Sequence, residues 1–517
     1  MRKIKLREDL RSHHFHPCAD DRWKLVEEIM RKYSTFFLVI VFLLGGCGAS
    51  SNEAPGFSLT SSDCQGLAVI QGQECYMLSV KEDRTHPGGR QIDVFAVVLR
   101  ALNRKPEGKP TVFLAGGPGN LGTDLIGFFG TEPFRRDHDL IFFNQRGIGR
   151  SNPSIVCKGL NSFLWTDPLV IGECLAEFKT AGADIRAYDT RQSALDLKEL
   201  RQSLGIAQWN VYGLSYGTRY ALDLMRVDPE GTAGVVLDSP MTTADPNNTT
   251  DLNLNAQRVF HQMFVDCKAQ LACNSAYPDL EQKFNAVAAH IRQHPIVLDV
   301  KNPVTGVMTP LVRSVEDYVE KVDSYIGVQD RAKFVPSLID RMYKHVTGQS
   351  EMTPQQLDLY FGNDDPSTFS NAKYYGTALS IFCREIYPRL DFASLDMARS
   401  PLFPFGIHNQ AESLWRAACP MASAGEIEKG FREPVAGAKP VLILSGAYDT
   451  ATPRAWAEKA AAALSNVKLV PIPAAGHVLL TLTCPNAIMA AFLDNPSANL
   501  DTSCVFSMPQ APDFYVQ

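Results

Sequence analysis

Residues 209–226 read WNVYGLSYGTRYALDLMR, and this stretch decides the fold of the chain. The apolar residues before Gly213 are typical of a buried strand, and the spacing after Tyr216 is typical of a helix. Between them lies Gly213-Leu214-Ser215-Tyr216-Gly217, which matches the pattern G-x-S-x-G. Its two glycines let the chain turn sharply, with the serine at the apex. The pattern alone is common, but its position between a strand and a helix predicts that Ser215 is a nucleophile.

A serine hydroxyl attacks a carbonyl carbon only when a base accepts its proton, and the base needs an acid to orient it. Asp449 follows the apolar run 441–444, and His477 follows the apolar run 467–473. The order serine, acid, histidine, with each residue in a loop after a strand, is typical of a catalytic triad on a parallel sheet. Taken singly, Asp449 is also a common turn former and His477 a common loop residue.

The glycine-rich loop 114–120, with the sequence LAGGPGN, follows another predicted strand. Its glycines allow backbone N–H groups to converge on a developing oxyanion. We expect the N–H of Gly117 to act with that of Tyr216 in this role. The alternative is a tight Gly-Pro turn without a catalytic role. A phosphate-binding loop is disfavoured because no G-K-[ST] sequence follows.

Strands and helices alternate on both sides of a long central region, which indicates an α/β fold with a mainly parallel sheet. The predicted strands are 94–99, 111–114, 140–143, 210–212, 234–237, 440–444 and 467–472. The predicted helices are 192–204, 216–226, 455–464 and 487–493. Residues 241–432 show helices and loops without a clear series of strands, so we expect a mainly helical cap inserted into the sheet.

These patterns divide the chain into five parts. They are a signal region (1–46), a Ser-, Gly- and Ala-rich tether (47–62), the first part of the core (63–240), the cap (241–432) and the second part of the core (433–517).

The N-terminal region resembles a bacterial export signal. A short apolar run, 36–44, follows Arg31 and Lys32 and ends in small residues before Cys47. This anatomy is typical of a lipoprotein signal, in which the cysteine carries the lipid; a plain signal peptide with an incidental cysteine is the alternative. Residues 1–29 displace this signal from the start, which indicates that translation begins at Met30.

Ten cysteines beyond Cys47 support export, because an even number in an exported chain favours disulfides. They fall in close couples along the chain, so pairing between neighbours is the simplest prediction, although sequence alone leaves the connectivity open. The predicted pairs are Cys64–Cys75, Cys157–Cys174, Cys267–Cys273, Cys383–Cys419 and Cys484–Cys504.

Composition narrows the classes of partner. The 517 residues carry a formal net charge of −6, with no dominant basic block, which argues against a nucleic-acid partner.

No cysteine pair has the C-x-x-C spacing of a zinc site, and no metal or organic cofactor is implied. His290 and His294 are interpreted as helix-end residues. Oligomeric state is not encoded in any pattern of this kind.

Several motifs in order resemble those of the proline iminopeptidase and tripeptidyl aminopeptidase family of α/β-hydrolases. They are residues 116–119 (GGPG), 144–151 (NQRGIGRS), 211–220 (VYGLSYGTRY), 449–453 (DTATP) and the tail from Gly476-His477 through Cys484 and Cys504. Ala115 stands where the family usually has histidine, and Asn144 where it usually has aspartate. Both departures bear on substrate choice more than on hydrolysis, because neither residue belongs to the triad.

The resemblance implies an α/β-hydrolase that releases N-terminal residues or short peptides from peptides with a free N-terminus. Exopeptidases of this kind hold the α-amino group of the substrate with a carboxylate, partly from the cap. Cys383-Arg384-Glu385 is similar to a C-x-E segment of the family, so Glu385 is the candidate anchor; a solvated surface glutamate is the alternative. Two other functions remain open, namely an esterase or amidase on the same machinery and a non-catalytic binding lipoprotein.

Overall fold

A computed structural model describes residues 56–516, with gaps at 87, 132, 158–159, 161–166, 245–248, 302–305, 362–373 and 391–408. The predicted signal region, the lipidation candidate Cys47 and most of the predicted tether lie outside the described residues. Within the described ranges, no helix is both long and apolar enough to cross a membrane.

The strands of the described residues are β1 (Ser58–Ser62), β2 (Gln73–Lys81), β3 (Gln91–Leu99), β4 (Thr111–Leu114), β5 (Leu140–Asn144), β6 (Trp209–Leu214), β7 (Thr232–Asp238), β8 (Ile296–Lys301), β9 (Met308–Arg313), β10 (Val441–Gly446) and β11 (Val467–Ile472). The α-helices are α1 (Ile126–Phe129), α2 (Pro168–Thr180), α3 (Thr190–Ser203), α4 (Tyr216–Val227), α5 (Thr249–Ala269), α6 (Leu271–Ala276), α7 (Leu280–Gln293), α8 (Val315–Ile326), α9 (Gln329–Ala332), α10 (Val335–Val346), α11 (Pro354–Phe361), α12 (Tyr375–Ile381), α13 (Asn409–Ala422), α14 (Arg454–Ala462) and α15 (Thr483–Asp494).

Nine of these strands form one sheet in the order β1-β2-β3-β5-β4-β6-β7-β10-β11. The strands from β5 to β11 in this order pair in parallel, whereas β1, β2 and β3 add an antiparallel edge. The predicted α/β class with a mainly parallel sheet is therefore confirmed. The carboxyl ends of the parallel strands share one edge, which is where loops of such sheets carry ligands and reacting groups.

Helices cover both faces of this sheet, which explains why its central strands are apolar along their whole length. Every residue of β4 and of β6 is buried. On one face, helices α3, α4 and α14 pack against the strands, and on the other face α1 and α15 do so. A parallel strand buried on both faces reads as a continuous apolar run, which is the pattern that located these strands in the sequence.

The antiparallel edge differs from the sequence prediction. β1 (Ser58–Ser62) lies in the segment predicted as tether and pairs with β2, for which no strand was predicted. The tether prediction is therefore wrong for 58–62. The residues of β1 are exposed or half-buried, because this strand lies at the sheet edge, and a polar edge strand has the composition of a linker.

The inserted region is mainly helical as predicted, and it also contains two strands that were not predicted individually. β8 and β9 form a two-stranded antiparallel hairpin within it. The described positions of these short strands are mostly exposed or half-buried, with Leu298 and Arg313 buried, and the strands lack the long apolar runs of the central sheet. Helices α5, α7, α8 and α10 pack around an apolar core of their own, which includes Phe260, Phe284 and Tyr318.

The structure forms all five disulfides that neighbour pairing predicts. They join Cys64 to Cys75, Cys157 to Cys174, Cys267 to Cys273, Cys383 to Cys419 and Cys484 to Cys504. They are consistent with an exported protein, because such bonds persist in oxidising compartments.

Candidate active site

Ser215 occupies the sharp turn between β6 and α4. Its backbone φ is +53°, a conformation that residues with a side chain rarely adopt. The two flanking glycines make this turn possible by close packing. A Cβ atom at Gly213 would lie 2.4 Å from the carbonyl oxygen of Gly217, and one at Gly217 would lie 2.2 Å from the carbonyl oxygen of Leu114. No larger residue fits at either position.

The turn leaves the serine as its accessible residue. Ser215 is half-buried, whereas Leu214 and Tyr216 on either side are buried. The Ser215 N–H donates to the carbonyl oxygen of Asp238 at 2.9 Å, and the Thr218 N–H donates to the carbonyl oxygen of Ser215 at 2.9 Å. Backbone bonds on both sides therefore hold the serine at the sheet edge.

Asp449 and His477 meet at the same edge, in the loops that follow β10 and β11. His477 Nδ1 lies 2.9 Å from Asp449 Oδ2. The carboxylate also accepts hydrogen bonds from the N–H groups of Ala451 and Thr452, at 2.9 and 2.8 Å, and from the Thr452 hydroxyl at 2.6 Å. A carboxylate with this many donors is held in one orientation, and it directs Nε2 of the imidazole away from itself.

The electrostatics of this pair suit a base and its orienting acid. Burial disfavours the Asp449 carboxylate, but the neighbouring His477 charge and the donated hydrogen bonds outweigh it and lower the Asp449 pKa. Burial likewise opposes the imidazolium, and the Asp449 carboxylate outweighs that effect and raises the His477 pKa. The imidazole is therefore a stronger base than an ordinary histidine and takes up a proton more readily.

The inserted region contacts the loops of His477 and Asp449. The N–H of His477 donates to the carbonyl oxygen of Gly327, just beyond α8, at 2.6 Å. A Cβ atom at Gly476 would lie 2.3 Å from that same oxygen, so the close approach requires glycine there. The side chain of Asn255, on α5, donates to the carbonyl oxygen of Asp449 at 2.7 Å.

Among the described residues, no hydrogen bond joins the Ser215 hydroxyl to the His477 ring, whose Nδ1 contacts are to Asp449 and Thr452. Hydrogen bonds between catalytic groups are often long in ligand-free enzymes and shorten when substrate binds.

The predicted oxyanion loop lies against the nucleophile. A Cβ atom at Gly116 would lie 3.0 Å from the Cβ of Ser215 and 3.6 Å from its Oγ. Gly117 has a φ of +112°, which glycine adopts readily. Within the described part of the chain, neither the Gly117 N–H nor the Tyr216 N–H donates a hydrogen bond. Both donors are therefore without a partner among the described residues, as the predicted role requires.

Tyr216, the second candidate donor, is held by a network behind the elbow. Its hydroxyl accepts a hydrogen bond from Gln145 Nε2 at 3.0 Å and lies 2.8 Å from Thr190 Oγ1. Gln145 belongs to the NQRG segment, whose Arg146 is buried and bidentate to Asp196 at 2.8 and 2.6 Å. This segment supports the elbow through the contact of Gln145 with Tyr216.

Glu385 is fully buried beside this network, on the π-helical turn Phe382–Ile386. Its Oε1 accepts from the Thr190 N–H at 2.8 Å, while its Oε2 lies 3.4 Å from Arg219 Nε and accepts no hydrogen bond from the residues that the structure describes. Burial raises the Glu385 pKa to about 7, against the opposing effect of Arg219. The alternative of a solvated surface glutamate is wrong, and the carboxylate of the candidate anchor faces an arginine of α4 and not open solvent.

The sequence did not predict a role for three residues of this site. The Thr452 hydroxyl donates to Asp449, and the carbonyl oxygen of Gly327 accepts from the N–H of His477. Asp238 lies between the nucleophile and the loop of His477. Asp238 ends a predicted strand at the active edge, which is a signal that could have found it. Gly327 carries no local signal, because its role depends on how the inserted region folds back.

Comparison with known proteins agrees with this geometry. A family described as "alpha/beta hydrolase fold" matches residues 109–266, and one described as "TAP-like protein" matches residues 405–504. The first match contains the elbow and the oxyanion loop, and the second contains Asp449 and His477. The chain is an α/β-hydrolase, and these matches support its place in the proline iminopeptidase and tripeptidyl aminopeptidase-like family.

Curated relatives of this family match over part of their length. YuaR of Escherichia coli (strain K12), which is named only as a hydrolase, is 26% identical over 54% of this chain and 59% of its own. Proline iminopeptidase of Neisseria gonorrhoeae is 27% identical over 41% of this chain and 53% of its own. Serine protease Hip1 of Mycobacterium tuberculosis (strain CDC 1551 / Oshkosh) is 25% identical over 59% of this chain and 62% of its own. The chain thus spans between about half and two thirds of these relatives.

Solved structures of α/β-hydrolases overlay loosely on this member of the family. Proline iminopeptidase of Mycobacterium smegmatis is 15% identical over 78% of this chain and 95% of its own, with a TM-score of 0.35. The esterase EaEST of Exiguobacterium antarcticum is 14% identical over 79% of this chain and 96% of its own, with a TM-score of 0.35. Overlays at this level do not distinguish a peptidase from an esterase.

Replacing Asp449 by asparagine tests the acid. We expect Asp449→Asn to lower kcat by roughly 10³- to 10⁴-fold, because the imidazole loses the partner that sets its tautomer and stabilises its charge. Activity needs neutral His477 and is lost as pH falls through its pKa, which Asp449 raises. The acidic limb of the residual pH–rate profile should therefore move to lower pH. A folded variant with kcat within threefold of the parent enzyme would exclude Asp449 as the acid.

Proposed function

We propose that this protein is an exported serine hydrolase that acts as an aminopeptidase of the prolyl or tripeptidyl type. The observation that carries the proposal is the 2.9 Å contact between His477 and Asp449 at the sheet edge where Ser215 stands on its strained turn. The free N–H groups of Gly117 and Tyr216 beside Ser215 complete the set of groups that acyl transfer requires.

The chemistry follows from this arrangement. The Ser215 hydroxyl attacks the carbonyl carbon of the scissile bond while His477 Nε2 takes its proton. The N–H groups of Gly117 and Tyr216 donate to the oxyanion of the tetrahedral intermediate. Protonated His477 then gives its proton to the departing amine, which leaves as the shortened peptide. Water, deprotonated by His477, releases the N-terminal residue or short peptide from the acyl-enzyme.

The family supports a peptidase over an esterase. The relatives with named activities are a proline iminopeptidase and a serine protease, and the match to the TAP-like family contains the acid and the histidine. These names describe those proteins, and at identities of 25–27% they supply a reaction class for this chain and no residue preference.

Glu385 remains the candidate anchor for the α-amino group of the substrate. Its Oε2 faces Arg219 Nε at 3.4 Å, accepts no hydrogen bond from the described residues and is an acceptor for an ammonium group. Its Oε1 accepts from Thr190, which also contacts the hydroxyl of Tyr216. Because the side chain is fully buried beside Arg219, contact with substrate requires the turn Phe382–Ile386 to shift.

The export signal and the five disulfides support a location outside the cytoplasm. We propose that cleavage before Cys47 leaves this cysteine as the lipid-bearing N-terminus, anchored to a membrane of the bacterial cell envelope. Five disulfides suit that oxidising compartment.

A substrate panel tests the proposed activity. We expect the enzyme to cleave aminoacyl, prolyl or tripeptidyl chromogenic amides with a free N-terminus and to lose this cleavage when the same substrates are N-acetylated. Ser215→Ala is the matched control and should abolish the activity. Preferential cleavage of short acyl esters would replace the peptidase by an esterase, and activity that survives Ser215→Ala would exclude this site.

Replacing Glu385 by glutamine tests the anchor. Loss of a charge-assisted hydrogen bond should raise KM for free-amino substrates by roughly tenfold to a hundredfold. Residual turnover of N-acetylated substrates should stay unchanged. Glu82→Gln is the matched control, because Glu82 is another buried carboxylate, bound to the Tyr188 hydroxyl. An equal loss on both kinds of substrate would show that Glu385 only pairs with Arg219.

Replacing Cys47 by serine tests the lipid anchor. We expect Cys47→Ser to prevent incorporation of radiolabelled palmitate and to move the protein from the membrane fraction to the soluble fraction. Cells expressing the parent chain and the variant would be compared by fractionation and immunoblotting. Palmitate labelling that persists in the variant would contradict the anchor.

A further inference from the structure

Asp238 lies at the carboxyl end of β7, between the nucleophile and the loop of His477. Its carbonyl oxygen accepts the hydrogen bond of the Ser215 N–H at 2.9 Å. Its carboxylate accepts from the N–H of Leu479, two residues after His477, at 3.1 Å on Oδ1 and 3.2 Å on Oδ2. One residue thus contacts both sides of the catalytic machinery.

Further donors surround the Asp238 carboxylate. The Tyr212 hydroxyl donates to Oδ2 at 2.8 Å, and the Ser239 hydroxyl donates to Oδ1 at 3.1 Å. Asp238 and Tyr212 are both buried without solvent exposure. Burial raises the Asp238 pKa, and the donors on both of its oxygens act against that effect by favouring the ionised form.

The loop that Asp238 contacts is strained. Val478, directly after His477, has a φ of +72°, a genuine outlier for a β-branched residue. Strain of this kind persists only where the surroundings enforce it. Here the Val478 N–H donates to Ser239 Oγ at 3.2 Å, and the next N–H, of Leu479, donates to Asp238. Two consecutive backbone donors are therefore captured by two consecutive side chains.

We propose that Asp238 is a positioning residue, which ties the Ser215 turn to the strained loop of His477 and places a second negative charge near the imidazole. The proposal rests on the proposed serine-hydrolase function. In it, Asp449 contacts the imidazole directly, whereas Asp238 acts through the backbone and through its charge.

The charges near His477 agree with this role. Two carboxylates favour the imidazolium, first Asp449 and then Asp238, while burial opposes it. Burial raises the pKa of Asp238, and its hydrogen bonds to Tyr212 and Leu479 and the charge of His477 act in the opposite direction. Removing the Asp238 charge should therefore lower the pKa of His477.

The test measures how fast a fluorophosphonate probe labels Ser215 in the full chain, across the pH range in which the protein stays folded. We expect Asp238→Asn to lower the plateau rate about tenfold and to move the acidic limb to lower pH by about half a unit or more, because an opposite charge is lost near the imidazolium. Asp340→Asn removes another buried carboxylate, bound to Lys283 in the inserted region, and should leave the limb in place.

The outcomes separate this inference from the proposed function. If the parent chain is labelled and Asp238→Asn has the same plateau labelling rate and the same acidic limb of the pH profile as the parent, the inference is overturned and the proposed function stands. A lower plateau with an unmoved limb also overturns it, because that result describes a merely structural residue. If the parent chain is not labelled at Ser215, the proposed function itself fails.

A second variant covers the case in which Asp238→Asn does not fold. Ser239→Ala removes the hydroxyl between Asp238 Oδ1 and the Val478 N–H and leaves the carboxylate in place. We expect a smaller loss of plateau rate, about threefold, with no movement of the limb. A plateau rate equal to that of the parent chain would count against the positioning role.

Discussion

The backbone of Ser215, with its φ of +53°, is the constraint on which the rest of the site depends. A serine in this conformation needs a strand on one side, a helix on the other, and glycines where the three segments approach one another. The carbonyl oxygens of Leu114 and Gly217 occupy the space that side chains at 217 and 213 would need. The same close approach places the loop of Gly116 and Gly117 beside the serine. The proposed nucleophile and the proposed oxyanion donors thus depend on one packing arrangement.

The remaining groups reach this point from distant parts of the chain. Asp449 follows β10, which pairs in parallel with β7, the strand after the nucleophile, and His477 follows β11, which pairs in parallel with β10. The sheet itself therefore brings their loops together. The inserted region then adds the carbonyl oxygen of Gly327 to the histidine loop. This contact ties the position of the His477 loop to the inserted region.

Much of this site could be predicted from the sequence, because each reacting group follows a strand that its own apolar run announces. The order of Ser215, Asp449 and His477 along the chain, and the adjacent glycines, can be recognised without knowledge of long-range packing. The contacts that hold these groups in place could not be predicted in the same way. The contact of Gly327 with His477 and the pairing of Glu385 with Arg219 depend on how the inserted region folds back. β1 was not predicted as a strand because an exposed edge strand has the composition of a linker.

The central claim is that Ser215, His477 and two backbone N–H groups act together on one carbonyl carbon. A crystal structure of the chain after reaction with a phosphonate inhibitor tests this most directly. The account predicts a covalent bond from Ser215 Oγ to phosphorus, with one phosphonyl oxygen about 3 Å from the nitrogen atoms of both Gly117 and Tyr216. It also predicts His477 Nε2 within hydrogen-bond distance of the Ser215 oxygen. An adduct on another residue, or a phosphonyl oxygen that points away from both N–H groups, would contradict the account.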